Sequence, residues 1–299
     1  YDESNAVTHS LALSDTDNRH VMLRELPITR ADNPFGSDTA PEDDTTGLGL
    51  WPATLLCARW MTQEHIVNKL QGKVVVELGA GCGLPGIAAA YYGAPSTVYI
   101  TDIHEPTLRN AVHNIDLNKD FGNVTLGSEG ANRGQCCISG VSQPTSVFIR
   151  NVSWTEKASF PPEEADVLIG SDLVYDSNIL GVLCPAVHAM LKNGGTFLYV
   201  APDDARDGMA ALVDAMQAIG LVCVKQEACD DAMYGNPLCA PSKVNYKHDH
   251  RESNIMDVQG DNEMDTGDDF VLHFYDLARK QPHTLFEFVK VDPTTTASA

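Results

Sequence analysis

The residues best equipped for chemistry lie in the run Glu77-Leu78-Gly79-Ala80-Gly81-Cys82-Gly83-Leu84-Pro85-Gly86, which follows the β-branched stretch Val74-Val75-Val76. Glycine at nearly every second position lets a backbone come close to a ligand where a Cβ would collide. Such a loop, set between a strand and a helix, marks the carboxyl edge of an open parallel sheet, where this architecture binds its ligands. The spacing Gly81-x-Gly83-x-x-Gly86 matches the dinucleotide fingerprint, a weak motif when it stands alone, and makes NAD one candidate. Glu77 favours another. A carboxylate beside a pyrophosphate is repelled, whereas beside a cationic ligand it is stabilising, and S-adenosylmethionine carries a sulfonium and an ammonium but no phosphate. Asp102, after the next strand, can accept hydrogen bonds from both hydroxyls of a ribose and serves either cofactor. Cys82 has no neighbouring histidine to activate it and reads as a small loop residue.

The elements that must position these groups alternate. Val74–Leu78, Thr97–Thr101, Val147–Val152, Val167–Gly170, Thr196–Ala201 and Leu221–Lys225 read as strands; Ala53–Met61, Pro85–Tyr92, Glu105–Asn118, Asn178–Leu191 and Met209–Ile219 read as helices. Pro52 suits the first turn of the Ala53–Met61 helix. Alternation of this kind gives an α/β, Rossmann-like, doubly wound sheet, mainly parallel, with helices on both faces. Phe270–Phe274 and Leu285–Val291 read as strands completing the sheet edge. Residues 1–20 are polar and aperiodic and read as a loose arm, His20–Leu26 as a weak edge strand, and Asp32–Thr46 as an exposed loop. Gly122–Thr145 and Cys229–Asp269 break the rhythm, carry too few apolar residues for a core, and read as surface insertions without a strand. The organisation expected is therefore an arm and loop over residues 1–46, then one domain over 47–299 with insertions at 122–145 and 229–269.

Composition narrows the partners. With 41 acidic against 20 basic residues the 299-residue chain carries a net charge of −21, which repels nucleic acid and favours a protein partner with a basic segment. No apolar run is long enough to span a membrane, and no signal peptide opens the sequence. The eight cysteines form no C-x-x-C pair, which fits a reducing compartment, cytoplasmic or nuclear. His248-Asp249-His250, in a polar loop without a further ligand, does not make a metal site. A monomer is expected.

Four separated stretches carry a family resemblance: the Glu77–Gly86 loop preceded by Leu50-Trp51-Pro52, then Ile100-Thr101-Asp102, Val152-Ser153-Trp154, and Gly170-Ser171-Asp172-Leu173-Val174-Tyr175. Together, from about Trp51 to Ala201, they resemble the seven-strand S-adenosylmethionine-dependent methyltransferases. More narrowly they resemble the non-SET protein lysine methyltransferase-like branch, which includes the nicotinamide N-methyltransferase-like proteins of fungi. The resemblance implies a seven-stranded sheet with an antiparallel edge-region strand, and S-adenosylmethionine as cofactor. It implies that Glu77, Gly79, Ala80 and Gly81 line the methionine and ribose portion, Asp102 binds the ribose, Ile103 lies beside adenine and Trp154 flanks it. Ser171 would meet the cofactor through its backbone, and Trp51 would close the pocket. Trp51 and Trp154 are equally well explained by core packing.

Asp172 and Tyr175 are the residues expected to carry the reaction, as the D-x-x-Y of the resemblance. They follow the apolar strand Val167–Gly170 at the edge shared with the glycine loop. Methyl transfer is an in-line displacement, so the protein chiefly aligns nitrogen, methyl carbon and sulfur. A lysine amine, with a pKa near ~10.4, must also lose its proton. A carboxylate and a phenol can hold the amine and receive or relay that proton. The competing role for Asp172, a helix N-cap, falls to Asp176 or Ser177. The function expected is methylation of a protein amine, a lysine side chain first and an N-terminal amine or other residue second. An NAD-binding oxidoreductase would need a substrate-carrying segment and a hydride-handling site that the sequence does not display; a non-catalytic binding module is opposed by the intact D-x-x-Y.

Overall fold

The computed structural model describes residues 6–26, 46–118, 131–136, 145–203, 206–239 and 280–292. Its centre is an eight-stranded sheet in the order β5-β6-β4-β3-β7-β8-β10-β9. The strands are β3 (Val74–Leu78), β4 (Thr97–Asp102), β5 (Ala131–Cys136), β6 (Thr145–Asn151), β7 (Ala165–Ser171), β8 (Leu191–Pro202), β9 (Leu221–Ala228) and β10 (His283–Lys290). β6, β4, β3, β7 and β8 are mutually parallel, β10 is antiparallel to both β8 and β9, and β5 is antiparallel to β6. The seven strands expected are therefore present, with an eighth at the far edge.

Period-two alternation sends neighbouring strand residues to opposite faces. Val75, Ile100, Ile149 and Ile169 pack on one side with helices α1 (Pro52–Met61), α2 (Glu64–Leu70), α3 (Leu84–Gly93) and α4 (Glu105–Leu117). Val76, Tyr99, Leu168 and Phe197 pack on the other with α5 (Leu180–Met190) and α6 (Leu212–Ala218). β3 is buried on both faces along its whole length, as a central parallel strand must be. Pro52 stands in the first turn of α1, and every residue of α1 from Ala53 to Met61 is buried.

Four expectations are corrected. Residues 7–25 are not a loose arm with a sheet-edge strand: β1 (Val7–Ala12) and β2 (His20–Glu25) form a separate antiparallel hairpin. Its buried face alternates through His9 and Leu11 on one strand and Val21, Leu23 and Glu25 on the other. His9 Nε2 lies 2.6 Å from Glu25 Oε2, so two polar residues complete a face that hydrophobicity alone does not reveal. Second, Gly122–Thr145 supplies β5. Third, the start of the Cys229–Asp269 insertion joins the core: Cys229, Met233 and Tyr234 are buried, and the Ala232 and Met233 carbonyls accept from Arg59 Nη1 at 3.1 and 3.2 Å. Fourth, the C-terminal strand lies inside the sheet, where β10 separates β8 from the edge strand β9. Asp32–Thr45, His248–His250 and Phe270–Phe274 lie outside the described residues.

The hairpin is tied down by three asparagines four residues apart, Asn110 and Asn114 on α4 and Asn118 at its C-cap. Asn110 and Asn114 donate to the Arg24 carbonyl, at 3.1 and 3.2 Å. Asn114 and Asn118 accept from the backbone N–H of Arg24 (2.7 Å) and Met22 (2.8 Å). Asn114 also donates to the Cys82 carbonyl at 2.9 Å, which links the hairpin to the glycine loop.

Candidate active site

The parallel strands β3, β4, β6 and β7 all end at one edge, and the candidate residues stand there. The loop after β3 turns through positive φ at Gly79 (54°) and Gly81 (54°), in the left-handed region that disfavours side chains. Space is a second reason for glycine at both positions. A Cβ on Gly79 would sit 2.6 Å from Leu173 Cδ2, and one on Gly81 would sit 3.2 Å from the Gly47 carbonyl oxygen. The turn after β7 and the segment before α1 press on the loop, so the glycines serve internal packing as well as any ligand. Cys82 is enclosed with them: its Sγ lies 3.3 Å from the Leu48 carbonyl and 3.4 Å from that of Gly49, and burial pushes its thiol up, away from the reactive thiolate.

Glu77 is turned inward. Its Oε2 accepts the Gly86 N–H at 3.0 Å in the first turn of α3, and burial pushes its carboxyl well up, with the Gly86 bond opposing. The side chain thus fastens the end of β3 to α3. Ala80 is buried, and its N–H donates to the Thr101 carbonyl at 2.9 Å.

Asp102 ends β4 and faces the loop. Its Oδ2 accepts the Gly81 N–H at 3.1 Å and its Oδ1 accepts the His104 N–H at 3.0 Å. Burial raises its pKa, while the N–H groups of His104 and Gly81 favour the charged form. Each carboxylate oxygen keeps a further lone pair for a ligand hydroxyl. Next to it Ile103 is 54% exposed, an apolar surface beside a carboxylate. Trp154, half-buried after β6, brings Cζ2 to 3.6 Å from where a Gly79 Cβ would stand. Ser171 Oγ lies 3.2 Å from Thr54 Oγ1 of α1. Trp51 is the N-cap residue of α1, with its indole N–H on the Thr46 carbonyl at 2.9 Å.

The turn after β7 is the second strained place. Asp172 has φ 54°, uncommon for a residue with a side chain and best tolerated by Asp and Asn. β8 holds the turn. The Asp172 N–H donates to the Val200 carbonyl at 2.9 Å, and the buried Tyr199 hydroxyl accepts from the N–H groups of Leu173 and Val174, both at 3.0 Å. Burial and the nearby Asp172 push the Tyr199 phenol up, so it stays neutral. Arg206, four residues past the end of β8, places Nη1 3.1 Å from Asp172 Oδ1. Tyr175 is 54% exposed at the mouth. The helix cap is Asp176, which accepts the Asn178 N–H at 2.7 Å, so Asp172 is released from that duty. Tyr199, Arg206, Thr54 and Asn114 were not singled out in the sequence. Each reaches the site through tertiary contact alone, and no local motif marks it.

Bare backbone, an anchored carboxylate at the second strand end, an exposed aliphatic beside it and a tryptophan against the loop fit a nucleoside with a short amino-acid tail. The sheet order and this placement resemble those of the class I methyltransferases, whose methyl donor is S-adenosylmethionine. Residues 39–129 match the family model described as lysine methyltransferase. The ribosomal protein L11 methyltransferase of Bacillus cereus (strain ATCC 10987 / NRS 248) is 28% identical over 149 residues, 50% of this chain and 44% of that protein. The chain thus matches less than half the length of that relative. Solved structures of a methyltransferase from Pyrococcus furiosus (13% identity, TM-score 0.44, 80% of this chain and 84% of that one) and of the N-methyltransferase NodS from Bradyrhizobium japonicum WM9 (12% identity, TM-score 0.44, 79% and 97%) are looser likenesses. Among the described residues no helix is long and apolar enough to cross a membrane, and no cluster of ligating side chains is arranged for a metal ion.

Proposed function

We propose that the chain methylates a protein amine, a lysine side chain in the first place, and that Asp172 and Tyr175 receive that amine. The observation that carries the reading is the turn at Asp172: a strained carboxylate, fixed by β8, at the sheet edge that also holds the glycine loop and Asp102. When bound, S-adenosylmethionine supplies an electrophilic methyl group whose transfer to an amine leaves a neutral thioether and an ammonium with a proton to lose. Asp102 holds the ribose, and Gly79, Ala80 and Gly81 offer backbone to the amino-acid portion. Ile103 and Trp154 flank the base, Ser171 contributes its backbone, and Trp51 closes the α1 side; Glu77 acts through the loop. Asp172 orients the amine lone pair, and the exposed Tyr175 passes the proton to solvent.

A protein substrate is supported by the relative's name, a ribosomal protein L11 methyltransferase, and a lysine target by the description of the matching family. The net charge of −21 supports a basic segment around the target. The experiment is incubation with radiolabelled S-adenosylmethionine and a cell extract, followed by identification of the labelled protein. A lysine-to-arginine change at the labelled position is expected to abolish the label. Label that survives on arginine, histidine or an α-amine moves the reading to that acceptor, and an extract that never takes up label defeats it.

A further inference from the structure

We propose that Arg206 sets the charge of the amine site, holding it neutral so that the acceptor is met as a free amine and not retained as an ammonium ion. The proposal rests on the reading of Asp172 as the residue that receives the amine. It is carried by two observations and one chemical argument.

The carboxylate is fixed in place. Asp172 sits in the left-handed region, its N–H is spent on Val200, and the two following N–H groups are gathered by the single Tyr199 hydroxyl. The backbone that carries the carboxylate is therefore held at three successive N–H groups.

Its counter-ion follows the same strand in sequence. β8 carries Val200 and Tyr199, and Arg206, four residues past its end, has Nη1 3.1 Å from Asp172 Oδ1. The two side chains are only 11% and 21% exposed, so solvent and salt screen this pair less than a surface one.

The chemistry then follows from charge counting. A lone carboxylate here would be a cation site and would stabilise an incoming lysine in its protonated form. A nitrogen with four bonds has no lone pair and cannot accept a methyl group. Paired with a guanidinium, the carboxylate still accepts a hydrogen bond from an N–H, yet the pair as a unit offers little to a positive charge. Arginine suits the task because it stays protonated and is a poor nucleophile; a lysine in its place would itself be an amine beside Asp172.

The test needs no identified substrate. S-adenosylhomocysteine and sinefungin share their adenosine and amino-acid parts, but sinefungin carries an amine on the carbon that replaces the sulfur. The ratio of their Kd values at neutral pH, measured by calorimetry, reads how much the site favours a cationic amine. Arg206→Gln is expected to raise the preference for sinefungin about fivefold or more, with the Kd for S-adenosylhomocysteine within about twofold of the unmutated chain. The Asp172→Asn/Arg206→Gln double variant should return the ratio to its original value. Arg206→Lys, the second arm, should keep it there, because the charge is retained. An unchanged ratio in Arg206→Gln, a shifted ratio in Arg206→Lys, or a parallel loss of both ligands overturns the proposal. Failure of either compound to bind the unmutated chain overturns the methyltransferase reading itself, a result distinct from any of these.

Discussion

Two carboxylates flank the central strand, and they are built in opposite ways. Asp102, at the end of β4, is met by backbone: the N–H groups of Gly81 and His104 hold its two oxygens. Asp172, at the end of β7, is met by a side chain, Arg206, and stands on a strained backbone gripped by Tyr199. The first arrangement suits a ligand that is the same in every turnover. Its donors come from one loop and one strand end, and a side-chain substitution nearby leaves them in place. The second places a charge that can be tuned by changing a residue distant in sequence, as an acceptor site must be when its partner is a particular protein. On the proposed reading, the cofactor half is held by peptide groups, and the acceptor half by side chains.

The largest effect should come from breaking the acceptor half without touching its backbone. Asparagine tolerates the left-handed region about as well as aspartate, so Asp172→Asn keeps the turn and removes only the charge. Turnover is expected to fall about 10²- to 10³-fold, while the Kd for S-adenosylhomocysteine changes by no more than about threefold. Tyr175→Phe should act in the same direction by about tenfold, since the exposed hydroxyl can be replaced in part by water. A loss of cofactor affinity as large as the loss of turnover would erase the distinction between the two halves.

The complementary break is Asp102→Ala. It withdraws a charged acceptor from the ribose and leaves the Gly81 and His104 N–H groups to solvent. Binding of S-adenosylhomocysteine is expected to weaken about tenfold to a hundredfold, with the smaller rise in Tm on ligand addition that follows from it. Turnover at saturating cofactor should fall far less than in Asp172→Asn. Equal effects of the two variants on kcat would mean that the carboxylates do not divide the work as proposed.

The same contrast decides what could be read in advance. The cofactor half is local in sequence: the glycines, the strand before them and the aspartate after the next strand lie within residues 74–102, and period and spacing alone place them. The acceptor half was half legible. Asp172 and Tyr175 follow a strand that its apolar run betrays, but Arg206 and Tyr199 reach them only because β8 lies beside β7. The hairpin escaped for a different reason. Its inward face includes His9 and Glu25, which hydropathy scores as outward; their mutual contact and the Leu50 N–H on Glu25 Oε1 accompany their burial. β5 was hidden because a Gly- and Asn-bearing stretch, Ala131-Asn132-Arg133-Gly134-Gln135-Cys136, has no strand signature until β6 offers it an edge.

The smallest expected effect is also the sharpest, because sequence and structure give Glu77 different tasks. If its charge faces a cationic ligand, Glu77→Gln should weaken S-adenosylmethionine more than S-adenosylhomocysteine, which lacks the sulfonium. In the structure the carboxyl faces the Gly86 N–H, and glutamine offers an oxygen for the same bond. Burial raises the Glu77 pKa in the folded chain. The native state therefore binds an extra proton between the ordinary glutamate value and the raised one, and stability is lost as pH rises through that window. Glutamine does not titrate, so Glu77→Gln should remove this part of the decline. At neutral pH its Tm should equal that of the unmutated chain or exceed it by about 2 to 4 °C. The affinities for both ligands should stay within about twofold of their original values. A thermal scan across pH and one pair of titrations check it: a tenfold loss confined to S-adenosylmethionine, with the Tm curve unchanged, would return Glu77 to the ligand side of the loop.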